Sequence, residues 1–159
     1  MKPLYILTFL HSPGEALPIM PMPTHNEGGS HGLKAFNTVN RVIDQINANP
    51  RSDPDFRSYA QDRRRPPYDG DKPLTSTITT HGPDSTGVPS GIRPFTVREL
   101  AALQGFPPNH TFAGSTTQKT KQIGNAVPPI VAKTLFTSIV NELKLRDGVV
   151  EPDHIIIED

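Results

Sequence analysis

The 159-residue sequence contains no cysteine. Disulfides, thiolate metal sites and cysteine nucleophiles are therefore unavailable to this chain. It also lacks a net charge, with 16 Lys and Arg against 16 Asp and Glu. No global field draws it to nucleic acid or to a membrane, and any affinity for DNA must be local. No uninterrupted apolar run reaches the roughly 18 residues that a membrane span needs, so no membrane partner is expected. The opening segment Leu4 to Leu10 is apolar but short. It has no charged lead-in beyond Lys2 and ends in His-Ser-Pro-Gly, which reads as a strand and not as a signal peptide. A run so continuously apolar suits a strand buried on both faces of a parallel-rich sheet. Yet the next such run, Ile155 to Ile157, is only three residues long. Short strands near Leu74 to Thr80 are the alternative partners.

Proline, by contrast, is abundant. The 18 prolines are about 11% of the chain, against a typical ~5%, and 13 of them precede Phe95. Order in that part must come from loops and short strands. From His11 to His25 the prolines block both helix and ladder. Gly28, Gly29 and Gly32 follow at spacings that match neither a P-loop nor a dinucleotide fingerprint. His25 and His31 have no third ligand in a sensible pattern, so they read as solvated loop histidines and no metal site is expected. Thr38 caps a short amphipathic helix with Val39, Val42, Ile43 and Ile46 on one face, ended by Asn49-Pro50. Between Arg51 and Asp71 the chain is polar, and Arg63-Arg64-Arg65 either grips phosphates or is simply solvated. Lys72 to His81 alternates hydroxyl and β-branched residues and reads as a strand or a strand-edge loop. The last residues, EPDHIIIED, form an acidic tail that is poorly ordered or an edge strand.

The densest local signals lie between Arg93 and Pro129. Thr96-Val97-Arg98-Glu99 is a capping box, in which each end residue's side chain can satisfy the other's amide. A helix starts there, with Val97, Leu100, Ala101 and Leu103 on one face. Gly105 supplies its left-handed stop, and Pro107-Pro108 forbid continuation. Gln122 to Val127 reads as a glycine turn at Gly124 followed by an extended Asn-Ala-Val step. A final helix opens on proline. Ala132, Leu135, Phe136, Ile139, Val140 and Leu143 form its apolar stripe, Lys144 and Arg146 sit near the negative end of its dipole, and Gly148 stops it.

Thr96 to Pro107 matches, without a gap, a Thr-x-Arg-Glu-x-Ala-x-Leu-Gln-Gly-Phe-Pro pattern, and Gln122 to Val127 matches Gln-x-Gly-Asn-Ala/Ser-Val. The stretch thereby resembles the last two motifs of the carbon-5 cytosine DNA methyltransferases. The resemblance covers almost the whole chain, weakly up to Ile92 and strongly from Arg93 to Leu143. It implies an α/β fold, here an incomplete one: the C-terminal part of a Rossmann-like S-adenosylmethionine-dependent methyltransferase domain, with part of a loop-rich target-recognition region. On that basis residues 1–25 bring a strand and proline-rich loop of the catalytic domain. Residues 26–92 are partial recognition region, 93–148 the closing motifs and last helix, and 149–159 the tail. One departure is Thr120, where the family usually has an aromatic two residues before the Gln of the last motif.

The resemblance also implies roles. Asn125, Ala126 and Val127 would line the pocket for S-adenosylmethionine in an intact enzyme; the local alternative is a tight turn introducing the last helix, and both can hold. Arg63, Arg64, Arg65, Thr77 and Ile78 would face DNA. Thr96, Arg98, Glu99, Gln104, Gly105 and Gly124 would be structural, Arg98 being an exposed arginine on the purely local reading. Family chemistry needs a thiolate adding to cytosine carbon 6, a Glu engaging nitrogen 3 and a methyl donor held beside carbon 5 of a flipped base. The glycine-rich cofactor loop, the Pro-Cys nucleophile and the Glu-Asn-Val motif are all missing from this chain. It is expected to be inactive alone, with no catalytic residue of its own, and to act in a complete enzyme or with an N-terminal methyltransferase polypeptide in trans. Its partner is DNA, in the nucleus of a eukaryote and otherwise in the cytoplasm. The alternatives are a non-catalytic DNA-binding or regulatory module, or a truncated gene product with no autonomous activity. Without a partner, the exposed faces of the first strand and last helix would favour aggregation.

Overall fold

The structure, a computed structural model, describes residues 20–46, 49–57, 65–74, 76–80 and 87–149. The strands expected at Leu4 to Leu10 and Ile155 to Ile157, the acidic tail, and Arg63 and Arg64 lie outside the described residues. The chain divides into two units, residues 23–132 and residues 1–22 with 133–159.

The first unit begins with a two-residue parallel pair, β1 (His25–Asn26) and β2 (Lys34–Ala35). His25, expected in a loop that no ladder could enter, therefore joins one. It can do so because it lies beyond the last proline of its segment, and the flanking amides of Lys34 and Phe36 donate to Thr24 O and Asn26 O, each at 3.1 Å. The Asn26 side chain closes the turn by bonding Ser30 N, O and Oγ.

Helix α1 (Val39–Ile46) starts where Thr38 predicts it, with Thr38 Oγ1 accepting from Arg41 N. Its first orphan amides go to a loop: Val39 N donates to Lys72 O and Asn40 N to Gly70 O, at 3.2 and 2.9 Å. A 3-10 turn at Pro50–Ser52 follows. Residues 72–74 and 76–80 form no strand, contrary to one of the two readings of that stretch. Lys72 O instead accepts from α1, and the Thr79–Thr80 backbone lies against Gly124 of the helical segment described below.

The core is built by α2 (Val97–Leu103), which packs against both α1 and α3 (Thr116–Asn125). Leu100 is 1% exposed and Ile123 0%, and they share a buried cluster with Val39, Ile78, Val88, Phe95, Val97 and Ala101. α2 has the capping box its sequence promises and ends in a Schellman motif. In that motif Phe106 N reaches Ala101 O and Gly105 N reaches Ala102 O, at 2.9 Å each. Gly105 takes the left-handed φ of +83° that this closure needs.

The structure corrects the expected glycine turn at Gly124. Gln122, Ile123 and Gly124 lie inside α3, and the chain turns extended only at Ala126 (φ −75°, ψ 140°). α3 was absent from the sequence reading. It opens on its own capping box, Ser115 with Gln118, and the departing residue Thr120 is buried with its hydroxyl donating to Thr116 O at 2.9 Å. Its buried hydroxyl thus finds its hydrogen-bond partner within its own helix.

α4 (Pro129–Arg146) has proline at its first position and carries most of its length in the second unit. It closes with a second Schellman motif, Val149 N to Lys144 O and Gly148 N to Leu145 O. The expected apolar stripe is present but only partly covered: Ala132, Leu135 and Ile139 are half-buried, whereas Phe136 is 66% exposed and Leu143 47%. Thr116–Arg146 does contain a window of mean hydropathy 1.3, long enough to cross a membrane. Its helical hydrogen bonding is broken at Ala126, however, and a lipid-exposed span must satisfy every backbone group internally.

The contrast between α2 and α4 gives a direct test. Leu100→Ala should cost about 2–5 kcal/mol of stability through cavity formation, whereas Leu143→Ala should cost less than about 1 kcal/mol. Urea unfolding of both variants measures this, and equal losses would remove α2 from the centre of the core.

Candidate cofactor-side and DNA-facing site

The site grows from a single carboxylate. Glu99 accepts from Thr96 N at 2.8 Å through Oε2 and from both Arg93 nitrogens at 2.8 Å, one on each oxygen. Both side chains are largely buried, and the fork-to-fork geometry matches guanidinium to carboxylate. Arg93 also lies 5.9 Å from the Phe56 ring centroid, a cation–π contact. Glu99 is thus more than the helix cap of the purely local reading, since it also ties Arg93 to α2.

At the far end of α2, the Gln104 amide donates to Ile123 O at 3.3 Å and to Ala126 O at 3.0 Å. These two carbonyls bracket the end of α3: Ile123 O also accepts from Ala126 N at 3.2 Å, whereas Ala126 O lies past the last helical residue and takes the Gln104 donor. One side chain therefore fixes the turn that presents Asn125, Ala126 and Val127. Ile123 pins the turn in the core, Asn125 is exposed, and Val127 is 60% exposed. Gln122, beside the departing Thr120, faces outward and donates to Ala113 O at 2.9 Å.

Arg98 differs from the exposed arginine of the local reading. It is half-buried, with Nη2 donating to His110 O at 3.3 Å and Nη1 buried without a hydrogen-bond partner among the described residues. Lying on the helix's first turn, it bonds the loop after α2, where Phe106, His110 and Phe112 meet in tilted and edge-to-face contacts at 4.6 to 5.1 Å.

Of the residues expected to face DNA, Thr77 is exposed, and Arg65 is exposed with its amide donating to Gly91 O. Ile78 is corrected: its side chain is buried in the core cluster, because a branched aliphatic group gains more there than at a polar surface. The structure thus brings Thr77 and Ile78 into the same unit as Asn125 to Val127.

The sequence reading missed a second anchor. Asp55 accepts from Lys119 Nζ and from Thr116 Oγ1, both at 2.7 Å, which joins the segment after α1 to the first turns of α3. Partners 61 and 64 residues apart carry no local signal. Burial by itself would raise the Asp55 carboxyl, but the hydrogen bonds from Lys119 and Thr116, with the charges of Lys119 and Arg57, hold it below its ordinary value.

The comparisons with known proteins bear on this arrangement. The family profile described as C-5 cytosine-specific DNA methylase matches residues 19–141. The chain belongs to this methylase family. Type II methyltransferase M.NgoFVII of Neisseria gonorrhoeae is 31% identical over 176 residues, covering 87% of this chain and 47% of that protein. DNA (cytosine-5)-methyltransferase 2 of Arabidopsis thaliana is 44% identical over 61 residues, 38% of this chain and 4% of the relative. Type II methyltransferase M1.HphI of Haemophilus parahaemolyticus is 46% identical over 48 residues, with coverages of 30% and 13%. This methylase chain thus spans less than half the length of each of these relatives. No solved structure matches it. The family has an S-adenosylmethionine-dependent methyltransferase fold, and its enzymes use S-adenosylmethionine.

The Asp55 anchor carries its own prediction. A carboxyl whose folded pKa is depressed stabilises the fold above the unfolded value and loses that contribution as pH falls through the folded one. Stability should therefore drop below about pH 4, and Asp55→Asn should flatten that drop in thermal melts taken between about pH 2 and 7. At neutral pH, Lys119→Met should cost about 1–3 kcal/mol.

Proposed function

We propose that this chain forms the closing, cofactor-side part of a DNA cytosine-5 methyltransferase, together with part of its DNA-recognition region. It works either within a longer polypeptide or with one that supplies the nucleophile in trans. The observation that carries the reading is the turn Asn125-Ala126-Val127, fixed from behind by Gln104 and Ile123 while Asn125 and Val127 stay exposed. An exposed amide and an exposed apolar face held on a rigid turn suit the polar edge and flat face of an adenosyl group. S-adenosylmethionine, when bound, supplies an electrophilic methyl group. This chain's own part is to orient: Asn125 offers donor and acceptor, Val127 offers apolar contact, and Gln104 holds both in place. Thr77 and Arg65 contact the DNA, Arg65 as a phosphate ligand and Thr77 at the recognition surface, with Arg63 and Arg64 extending the basic run. The sequence has no thiol, so the bond to cytosine is made by a cysteine from elsewhere. Such an enzyme acts where its DNA is, in a eukaryotic nucleus or otherwise in the cytoplasm.

The experiment mixes the full chain with a methyltransferase polypeptide carrying the Pro-Cys motif, labelled S-adenosylmethionine and duplex DNA. Label should appear at carbon 5 of cytosine only in the mixture. Asn125→Ala should lower the rate about tenfold, as the loss of one hydrogen bond worth ~1.4 kcal/mol would. Absence of label with every complement tried, together with no binding of S-adenosylhomocysteine, would sink the reading.

A further inference from the structure

The recognition segment and the cofactor-side turn meet at Gly124. Thr77 is exposed, and Ile78 beside it is anchored in the buried cluster that also contains Ile123. The Thr79–Thr80 peptide then packs directly against Gly124. A Cβ at that position would stand 2.6 Å from Thr79 C, 2.7 Å from Thr79 O and 2.9 Å from Thr80 N. All three are main-chain atoms, which cannot swing aside as the tip of a side chain can. Intrinsic helix preference alone would favour alanine here, because glycine inside a helix costs conformational entropy. Close approach reverses that preference. The two segments therefore touch main chain to main chain, with no side chain between them to absorb a displacement. On the other side of the turn, Gln104 grips the carbonyls of Ile123 and Ala126.

We propose that Gly124 is a positioning residue that couples DNA contact at Thr77 to the cofactor-side turn Asn125-Ala126-Val127. A shift of the Thr79–Thr80 peptide on DNA contact is passed through Gly124 to Asn125, because close-packed backbone transmits a displacement that a flexible side chain would damp. The inference rests on the reading of Thr77 as DNA-facing and of Asn125 to Val127 as the cofactor wall. Such coupling is reciprocal: if DNA tightens the cofactor by some factor, the cofactor tightens DNA by the same factor.

The test is a titration of the full-length, isotopically labelled chain with a short cytosine-containing duplex, followed by amide NMR. In the unsubstituted chain, the amides of Thr77, Asn125 and Ala126 should move along one binding curve. Gly124→Ala should keep the Thr77 shift and lose those at Asn125 and Ala126. Thr77→Ala changes only an exposed side chain, so the fold survives it, and it should remove all three shifts together. In the complemented enzyme, DNA should tighten S-adenosylhomocysteine by about fivefold or more, and Gly124→Ala should reduce this to less than about twofold. A glycine serving helix packing alone would change stability without changing that ratio. A shift at Thr77 with none at Asn125 or Ala126 overturns the coupling and leaves the DNA reading standing. No shift at Thr77 overturns the DNA reading, and the coupling falls with it.

Discussion

The Glu99 carboxylate is the constraint from which the rest of the described fold follows. It is buried, it is charged, and it takes three donors: Thr96 N and the two Arg93 nitrogens. A buried carboxylate without such partners costs several kcal/mol, so the geometry of those donors is not free to vary. It fixes where α2 begins, and with that which residues of α2 point inward, Leu100 and Ala101 among them. It also fixes the path of Arg93 to Phe95 into the helix, where Phe95 fills the core. The Schellman closure at the other end then aims Gln104 at the end of α3. A single charge is thereby connected, through one helix of 7 residues, to the turn carrying Asn125.

What the sequence made legible was local. Thr96 and Glu99 stand three apart and could be read as a box, Gly105 as a left-handed stop and Thr38 as a cap, because each bond closes within a turn or two. α3 escaped although Ser115 and Gln118 carry the same capping grammar. Its buried face is only Thr120 and Ile123, too thin a stripe to give helical periodicity, and its glycine invites a turn. Gly124 is instead set by what lies across from it, the Thr79–Thr80 peptide, which no pattern within α3 could disclose. The same holds for Ile78, buried by distant neighbours, and for Asp55, whose partners stand on α3.

The family pattern reached further than local physics because it compresses such long-range contacts into fixed letters. Gln104 is the clearest case. Physics read the residue before Gly105 as an ordinary helix end, yet its amide is the donor shared by two carbonyls about twenty positions later. The pattern kept glutamine there without saying why. The departure at Thr120 shows the converse: the residue present is a buried threonine whose hydroxyl is satisfied locally by Thr116 O, which the pattern did not announce.

The division of labour within the proposed site follows from where its order comes from. The carbonyls of Ile123 and Ala126 are satisfied within the chain, Ile123 O by Ala126 N as well as Gln104 and Ala126 O by Gln104, so the turn has its shape before anything binds. A wall organised from behind spends little ordering entropy on binding, and the affinity lost to immobilisation is correspondingly smaller. The exposed face of α4 stands in contrast. Its helix is well terminated by Pro129 and by the Schellman closure at Gly148, but Phe136, Val140 and Leu143 are exposed. End caps hold a helix together without covering its apolar face, and a helix of 18 residues draws most of its stability from tertiary packing. Whatever occupies that face will therefore stabilise α4 by mass action, whereas the turn at Asn125 is held by bonds made within its own unit.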